Sequence, residues 1–395
     1  MNDKLTANLT AAGVGFKLKG VRSMSNELND PSARRRWFQR FKLFKWFNCC
    51  SRRLSELVGR VDIPGRLGGA MIHTRICELL GITHPIVLGG MGTATSAPLV
   101  AAVSNSGGLG TLGTSSFRPD QLESEVSAIR GRTDKPFGIN HLLFLTQDEM
   151  LRVTLRARPV VVAFAWPRLD QDLREYFSRA HDAGAKVMYM AGEVPLAVRG
   201  AEAGADIIVA QGTEAGGHVG WMASMPLVPM IVRAVAPLPV LAAGGIADGR
   251  GLVAALALGA DGVLLGTRFM ATPEAPIHAN MKQAIVDSDG HDTVLTEIPD
   301  IATGRVWPGA MARAQRNKFI ERWAGREWAL RQGAREAGEA ALEARRAGDV
   351  DNAPLYFGQD AGLIDSIKSP GEIIQTMVKE AEAIITGPLQ RLVTA

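Results

Sequence analysis

The stretch from residue 203 to residue 218, AGADIIVAQGTEAGGH, contains the pattern that decides the fold. Small residues come first, then the apolar run Ile207 to Ala210, then a glycine-rich loop that ends at His218. A short apolar run bounded by such turns is typical of a strand buried in a parallel sheet. The same order of turn, strand and loop recurs along the chain, so we expect repeated βα units.

Eight such apolar runs follow Met71: Ile86 to Gly89, Gly108 to Leu112, Phe137 to Leu143, Val160 to Ala163, Lys186 to Tyr189, Ile207 to Ala210, Val240 to Ala243 and Gly262 to Gly266. Helical patterns lie between them, at Pro98 to Ser106, Pro119 to Arg130, Thr146 to Arg158, Leu169 to Ala183 and Asp248 to Leu258. Eight units in about 200 residues predict an α/β fold, a (β/α)8 TIM barrel. A doubly wound sheet is the alternative, but its glycine-rich turn should follow the first strand, not the sixth and seventh.

The composition changes near Met71 in this chain of 395 residues. Residues 1–70 hold 14 Lys and Arg against 5 Asp and Glu, so this basic N-terminal extension accounts for the pI of about 9.0. We interpret it as a leader or disordered segment, or as an amphipathic segment attracted to anionic lipid or nucleic acid. The remaining residues carry 30 basic and 35 acidic side chains, a balance that argues against a nucleic-acid-binding main body.

The chain after Met71 divides into three segments. Residues 71–296 form the barrel core, and residues 297–350 form an inserted helical segment, a lid or docking element. The expected helical i, i+4 pairs of that segment are Glu327 with Arg331 and Arg335 with Glu339. Residues 351–395 should pack back on the barrel through a helix from Gly371 to Ile385, whose apolar face carries Ile374, Met377, Val378 and Ala381.

Several classes of protein are disfavoured by what the sequence lacks. No apolar run reaches the roughly 18 residues of a membrane helix, so no transmembrane segment is expected. The cysteines, Cys49, Cys50 and Cys77, are too few and too clustered for a disulfide framework, which favours a reducing compartment and a cytoplasmic location. No two of the 7 histidines share a metal-ligand spacing, so no metal site is predicted.

Three glycine-rich motifs follow predicted strands: Gln211 to His218 after the sixth, Gly244 to Asp248 after the seventh, and Gly266 to Arg268 after the eighth. In this fold the carboxyl ends of the strands carry the active site, and the loops after strands seven and eight commonly bind a phosphate. Glycines there let backbone N–H groups approach a ligand closely. The sequence therefore predicts a phosphate cradle at the barrel mouth.

His218 ends the glycine-rich loop after the sixth strand. It does not lie on the apolar face of an element, where a structural histidine usually packs. An imidazole can take or donate a proton near neutral pH, so we predict His218 as a catalytic residue.

In combination these motifs resemble one family. The chain resembles the nitronate monooxygenases, also called 2-nitropropane dioxygenases. The segments that carry the resemblance are Leu80 to Ile82, Pro85-Ile86, Gln211 to His218, Ala243 to Ile246, Leu265 to Phe269 and Gly358 to Gly362. The resemblance covers about 325 residues from Met71 onward. The barrels of this family bind FMN and include an enoyl-acyl-carrier-protein reductase branch. One departure is Gly89-Gly90-Met91, where many relatives have Ala-Pro-Met.

The resemblance implies FMN across the barrel mouth. Asn140 and Gln211 would hydrogen-bond the flavin ring, Met91 would lie near it, and the Gly216-Gly217 loop would close on the cofactor. The residues that would hold the phosphate are Gly244, Gly245, Leu264, Leu265, Gly266 and Thr267, with the Thr267 hydroxyl as a donor. His218 matches the catalytic histidine of the family.

The activity that the resemblance implies is oxidation of an alkyl nitronate or nitroalkane with O2 to a carbonyl compound and nitrite. The alternative is an FMN-dependent enoyl reductase that uses NAD(P)H. Trp166 and Trp221 are candidates for the walls of the substrate pocket. A homodimer is one oligomeric state that the sequence leaves open.

Overall fold

A computed structural model describes residues 72–393 of the chain. These residues belong to the barrel core, the inserted segment and the C-terminal segment. The basic N-terminal extension, with Cys49 and Cys50, lies outside the described residues.

The predicted barrel is confirmed. Its eight parallel strands are β1 (Ile86–Leu88), β2 (Gly110–Gly113), β3 (Phe137–Leu142), β4 (Val161–Ala165), β5 (Lys186–Ala191), β6 (Ile207–Gln211), β8 (Val240–Ala243) and β9 (Gly262–Leu265). The order around the barrel is β1-β9-β8-β6-β5-β4-β3-β2. A parallel bridge between Val87 and Leu109 joins β1 to the start of β2 and closes the ring.

Both faces of these strands are buried, because alternate side chains enter two different apolar clusters. On β4, Val161 and Ala163 belong to one cluster, whereas Val162 and Phe164 belong to the other. The first cluster fills the barrel interior, and it includes Cys77 of helix α1 (Arg75–Leu80). The second cluster lies between the strands and the surrounding helices.

The helices that surround or extend the barrel are α2 (Ala97–Asn105), α3 (Pro119–Arg130), α4 (Asp148–Ala157), α5 (Leu173–Asp182), α6 (Val194–Glu202), α7 (Ser224–Val235), α8 (Gly249–Ala257), α9 (Thr267–Met270) and α10 (Ala279–Asp287). Short 3-10 turns span Gly92–Ala94 and Leu143–Leu145. The helix predicted from Leu169 begins earlier than α5, which starts at Leu173. The Asp172 carboxylate accepts the Arg174 N–H and caps the helix there. Leu169 itself is exposed.

A second sheet places one strand in residues 297–350, which the sequence predicted to be helical. The strands β7 (Gly217–Val219), β10 (Thr293–Thr296) and β11 (Met311–Gln315) form an antiparallel sheet in the order β10-β11-β7. His218 pairs with Ala312, so the end of the predicted glycine-rich loop is a strand. The backbone of residues 217–219 forms its strand hydrogen bonds with β11, about 95 residues later in the chain. A local sequence pattern cannot indicate such a pairing.

The remainder of the inserted segment is helical, with α11 (Ile298–Thr303), α12 (Lys318–Trp323), α13 (Glu327–Gln332) and α14 (Ala334–Ala347). These helices pack on their own small apolar cluster, which includes Ile298 and Leu330. The expected pair of Arg335 with Glu339 is present at 3.9 Å. Arg331, however, pairs at 3.4 Å with Glu297 and not with Glu327, because α13 packs against α11.

The C-terminal segment packs on helices that surround the barrel. Its 3-10 turn spans Gln359–Leu363, helix α15 spans Pro370–Ile384, a π-helical turn spans Ile385–Leu389 and α16 spans Gln390–Val393. The apolar face predicted for α15 is buried and contacts α8 and α2. Within the described residues, no helix combines the length and apolarity that a bilayer crossing requires.

Candidate active site

A cavity of about 350 Å³ opens at the carboxyl ends of the barrel strands. Loops after β1, β6, β8 and β9 line it, together with residues of the inserted and C-terminal segments. This is the end at which TIM barrels bind substrates and cofactors. This cavity is therefore the candidate site, and the glycine-rich motifs after β6, β8 and β9 contribute to its lining.

Eleven of the twelve predicted site residues line this one cavity: Met91, Asn140, Gln211, Gly216, Gly217, His218, Gly244, Leu264, Leu265, Gly266 and Thr267. The twelfth, Gly245, follows Gly244 directly and is not part of the lining. The motifs therefore meet in space although the chain separates them by up to about 175 residues.

The glycines of the site are explained by close backbone approach and by left-handed backbone. Gly244 has φ of +99° and Gly245 has φ of +74°, in the region that residues with a Cβ rarely adopt. A Cβ at Gly90 would lie 2.3 Å from the Asn140 Cβ. The Gly90 departure from the family pattern thus lets the loop after β1 lie directly against β3.

Two amide side chains supply polar groups beside the cavity. Asn140 Nδ2 donates to the Gly90 carbonyl at 3.2 Å. Gln211 Oε1 is buried and has no hydrogen-bond partner in the structure. An orphaned buried acceptor is costly unless a ligand donates to it, so Gln211 fits a bound group with an N–H or O–H edge.

Two predicted residues make contacts that differ from their expected ones. At Gly216 a Cβ would lie 2.5 Å from the Phe357 Cα, so glycine is needed for the approach of the C-terminal segment. The Thr267 hydroxyl accepts a hydrogen bond from the Gly358 N–H at 2.9 Å. Both contacts attach the segment around Gly358 to the cavity wall.

His218 is held by two residues that the sequence analysis missed. Its Nε2 lies 2.9 Å and 3.0 Å from the two carboxylate oxygens of Asp300. Its ring stacks on Trp307, with centroids 3.3 Å apart and planes inclined by 10°. Asp300 lies in α11, and Trp307 lies in the loop between α11 and β11. The strand pairing of β7 with β11 brings both to the histidine.

The inserted and C-terminal segments add further polar groups to the cavity wall. Arg345 of α14 donates to the Thr93 hydroxyl at 3.0 Å and thereby joins the inserted segment to the loop after β1. The Tyr356 ring lies 6.1 Å from the His218 ring. Burial, together with the Asp300 carboxylate, raises the pKa of Tyr356, so its hydroxyl stays protonated.

Of the two tryptophans predicted to wall the pocket, one does so. Trp166 lines the cavity and packs edge-on against Trp307. The prediction for Trp221 is wrong, because its side chain is 69% exposed and is not among the residues that line the cavity. Trp307 takes that place. A tryptophan directly before the turn-forming pair Pro308-Gly309 was the signal that could have identified it.

His141 is not among the residues that line the cavity. It is buried, and its ring nitrogens contact the Thr154 and Thr114 hydroxyls at 2.8 Å and 3.3 Å. Burial lowers the pKa of His141 to about 3, so it is neutral at physiological pH. Within residues 72–393, no group of three His, Cys, Asp or Glu side chains is arranged to hold a metal ion.

Comparison with known proteins adds a family and several relatives. A family model described as nitronate monooxygenase matches residues 73–380. The chain is 33% identical over 293 residues to a probable nitronate monooxygenase of Staphylococcus aureus, which covers 62% of this chain and 79% of that protein. It is 34% identical over 345 residues to the (3aS,4S,5R,7aS)-5-hydroxy-7a-methyl-1-oxo-octahydro-1H-indene-4-carboxyl-CoA dehydrogenase of Mycobacterium tuberculosis, covering 78% and 96%. Among solved structures, FabK from Thermotoga maritima aligns with a TM-score of 0.73 and 37% identity over 81% of this chain and 99% of that chain.

Proposed function

The chain belongs to the nitronate monooxygenase family of oxidoreductases, and from that premise we propose that it binds FMN and oxidises alkyl nitronates with O2 to carbonyl compounds and nitrite. The observation that carries this proposal is the His218–Asp300 pair beside a glycine-lined cavity. The pair can take up or release a proton. The glycines of the cavity wall leave room for a flat cofactor with one phosphate.

The residues of the cavity fit FMN. The unpartnered Gln211 Oε1 would accept a hydrogen bond from an N–H group of the flavin ring. Asn140 belongs to the lining of the same cavity. Gly244 and Gly266 present backbone without side chains at the ends of β8 and β9, where a phosphate would bind. FMN bound there would supply the redox chemistry between the substrate and O2.

We infer which nitrogen of His218 acts as the base from the contact of its ring with Asp300. A carboxylate only accepts hydrogen bonds, so the Nε2 that faces Asp300 carries a proton. Nδ1 then keeps its lone pair, and it is the atom that removes a proton from the α-carbon of a nitroalkane. With a nitronate already formed, the same ring would instead orient the substrate.

The surroundings of His218 stabilise the imidazolium that this proton transfer creates. Asp300 provides the opposite charge, and Trp307 places a π-face 3.3 Å from the ring. Both contacts also fix the orientation of the ring, and Trp307 covers one face of it.

A second candidate function is reduction of an enoyl thioester with NAD(P)H. The relative from M. tuberculosis is named for a CoA thioester substrate. In this chain Arg305 is exposed at the cavity wall and Arg345 lies in the same wall. Two cations at the mouth would attract an anionic carrier such as CoA.

The deciding experiment is a pair of assays on the purified protein. We expect a flavin spectrum, and nitrite release from propane-2-nitronate in air without pyridine nucleotide. If the protein releases no nitrite and instead oxidises NAD(P)H only in the presence of an enoyl thioester, the second function is correct. A protein that neither contains nor takes up FMN would exclude both.

The structure also predicts the effect of Asp300→Asn. The amide can still accept from His218, but the charge that stabilises the imidazolium is lost. We expect kcat for a neutral nitroalkane to fall about 10- to 100-fold, whereas KM and turnover with pre-formed nitronate change little.

The matched control is Asp289→Asn, because the Asp289 side chain is 75% exposed and precedes β10 of the same small sheet. It should leave both substrates unaffected. Equal losses on nitroalkane and nitronate in Asp300→Asn would show that the carboxylate supports the structure of the site and not proton transfer.

A further inference from the structure

Asp360 is a buried carboxyl in the cavity wall to which the proposed chemistry gives no role. It is the second residue of the 3-10 turn Gln359–Leu363, and 6% of its surface is exposed. It lies in the motif Gly358 to Gly362 of the C-terminal segment. That segment is attached to the cavity wall by the Gly358–Thr267 hydrogen bond.

The groups around Asp360 leave its carboxyl only weakly acidic. Burial raises the pKa of Asp360 to about 7, and the nearby Glu214 carboxylate adds to this shift. Its own backbone N–H, the Thr267 hydroxyl and the Arg268 guanidinium oppose it. Arg268 donates its hydrogen bonds to the Ala271 and Ser366 carbonyls, so it offsets only part of the rise in the pKa of Asp360.

The position of Asp360 connects it with the proposed phosphate site. Thr267, the first residue of α9, lines the cavity beside Gly266 and accepts the Gly358 N–H, and the Asp360 carboxyl lies against Gly358, with Oδ1 2.3 Å from the position of an added Cβ there. An ionised carboxylate next to a phosphate would repel it. A neutral carboxylic acid has an O–H that can donate to a phosphate oxygen, as buried acids do in other proteins.

We propose that Asp360 binds the terminal phosphate of FMN as a neutral carboxylic acid, donating its proton in a hydrogen bond to a phosphate oxygen. This inference rests on the proposed function, because it requires FMN in the cavity. It adds a binding residue and a direction of pH dependence.

The expected pH dependence of FMN affinity follows from the protons that the free and bound protein carry. Above pH 7 the carboxyl of the free protein is ionised, so binding of FMN must take up one proton from solvent. A phosphate monoester has its second pKa near 6 and stays dianionic above pH 7, so it contributes no further change there. Affinity for FMN should therefore fall between pH 7 and pH 9, approaching tenfold per pH unit.

The experiment measures Kd by flavin fluorescence at pH 7, 8 and 9 for FMN and for riboflavin, which lacks the phosphate. The protein is the full chain freed of its flavin and tested for full recovery on adding FMN. Calorimetry at pH 8 in two buffers of different ionisation enthalpy counts the protons taken up. The variant is Asp360→Asn, which keeps the shape and a donor but cannot ionise.

The matched control is Asp365→Asn, whose side chain is 85% exposed and lies near the same Arg268. We expect the parent and this control to lose FMN affinity with rising pH and to take up close to one proton at pH 8. Asp360→Asn should bind FMN with nearly constant affinity and no proton uptake. Riboflavin should bind all three proteins without the slope, which also shows that the variant is folded.

Two results would overturn the inference alone: a pH-independent FMN affinity in the parent, or a slope that persists in Asp360→Asn. A slope that is equal for riboflavin and FMN would overturn it as well, because the carboxyl would then act away from the phosphate. If the protein binds neither flavin at any pH, the proposed function itself fails, and this inference fails with it.

Discussion

Replacing His218 with alanine is expected to reduce kcat/KM for a neutral nitroalkane by on the order of 10²- to 10⁴-fold. The substitution removes Nδ1, the atom that takes the α-proton, and leaves Asp300 without the ring to which it is hydrogen-bonded. With a pre-formed nitronate no proton need be removed, so the loss should be smaller and confined to binding and orientation. The measurement is turnover of both substrate forms at a pH where the nitronate persists.

FMN content should not change in His218→Ala, because the proposed cofactor contacts of Gln211, Asn140 and the glycine loops do not involve this ring. His291→Ala is the matched control, since that side chain is 92% exposed and precedes the same small sheet. Equal large losses with both substrate forms would contradict a basic role. Unchanged turnover with both would remove His218 from the catalytic machinery.

The other large effect is expected for Gly245→Asp, which should weaken FMN binding by on the order of 10²-fold. A carboxylate and a phosphate charge about 5 Å apart repel by about 3 kcal/mol at an effective dielectric constant near 20. The new side chain would also meet Glu214, whose Cβ lies 3.4 Å from the position of an added Cβ. Equilibrium dialysis of FMN against the variant measures the effect.

The backbone strain of this substitution can be separated from its charge. Gly184 has φ of +82°, and an added Cβ there would meet nothing within 4 Å. Gly184 lies just before β5, at the barrel end remote from the cavity, so Gly184→Asp carries the same kind of strain without a nearby cofactor. FMN retention should be normal in this control. Similar retention in both variants would place the phosphate away from Gly245.

The sequence predicted the barrel because its signals are local. Each strand is a short apolar run with both faces buried, as at Ile207 to Ala210, and each lies next to a small-residue turn. The carboxyl ends of parallel barrel strands meet at one end, so motifs after separate strands were expected to converge. That reasoning brought Met91, Gln211 and Thr267 into one cavity.

The partners of His218 were not predictable in the same way. Asp300 and Trp307 lie more than 80 residues after the histidine, in a stretch whose composition indicated exposed helix. They reach it because β11 adds to β7 in antiparallel register, with Ala312 opposite His218. Such pairing depends on tertiary contacts and leaves no periodic pattern in either segment. Asp360, by contrast, lay in a motif already identified, but its charge state depends on burial that a sequence does not show.

The small sheet has a consequence for how activities can diverge on this scaffold. The proposed cofactor contacts come from the barrel loops, whereas Asp300, Trp307 and Arg345 come from the inserted segment that β7 and β11 attach to it. Natural variation in that segment can therefore change the residues around His218 and the cavity entrance while the proposed cofactor contacts are kept. This separation agrees with the names of two relatives, a probable nitronate monooxygenase and a dehydrogenase of a CoA thioester.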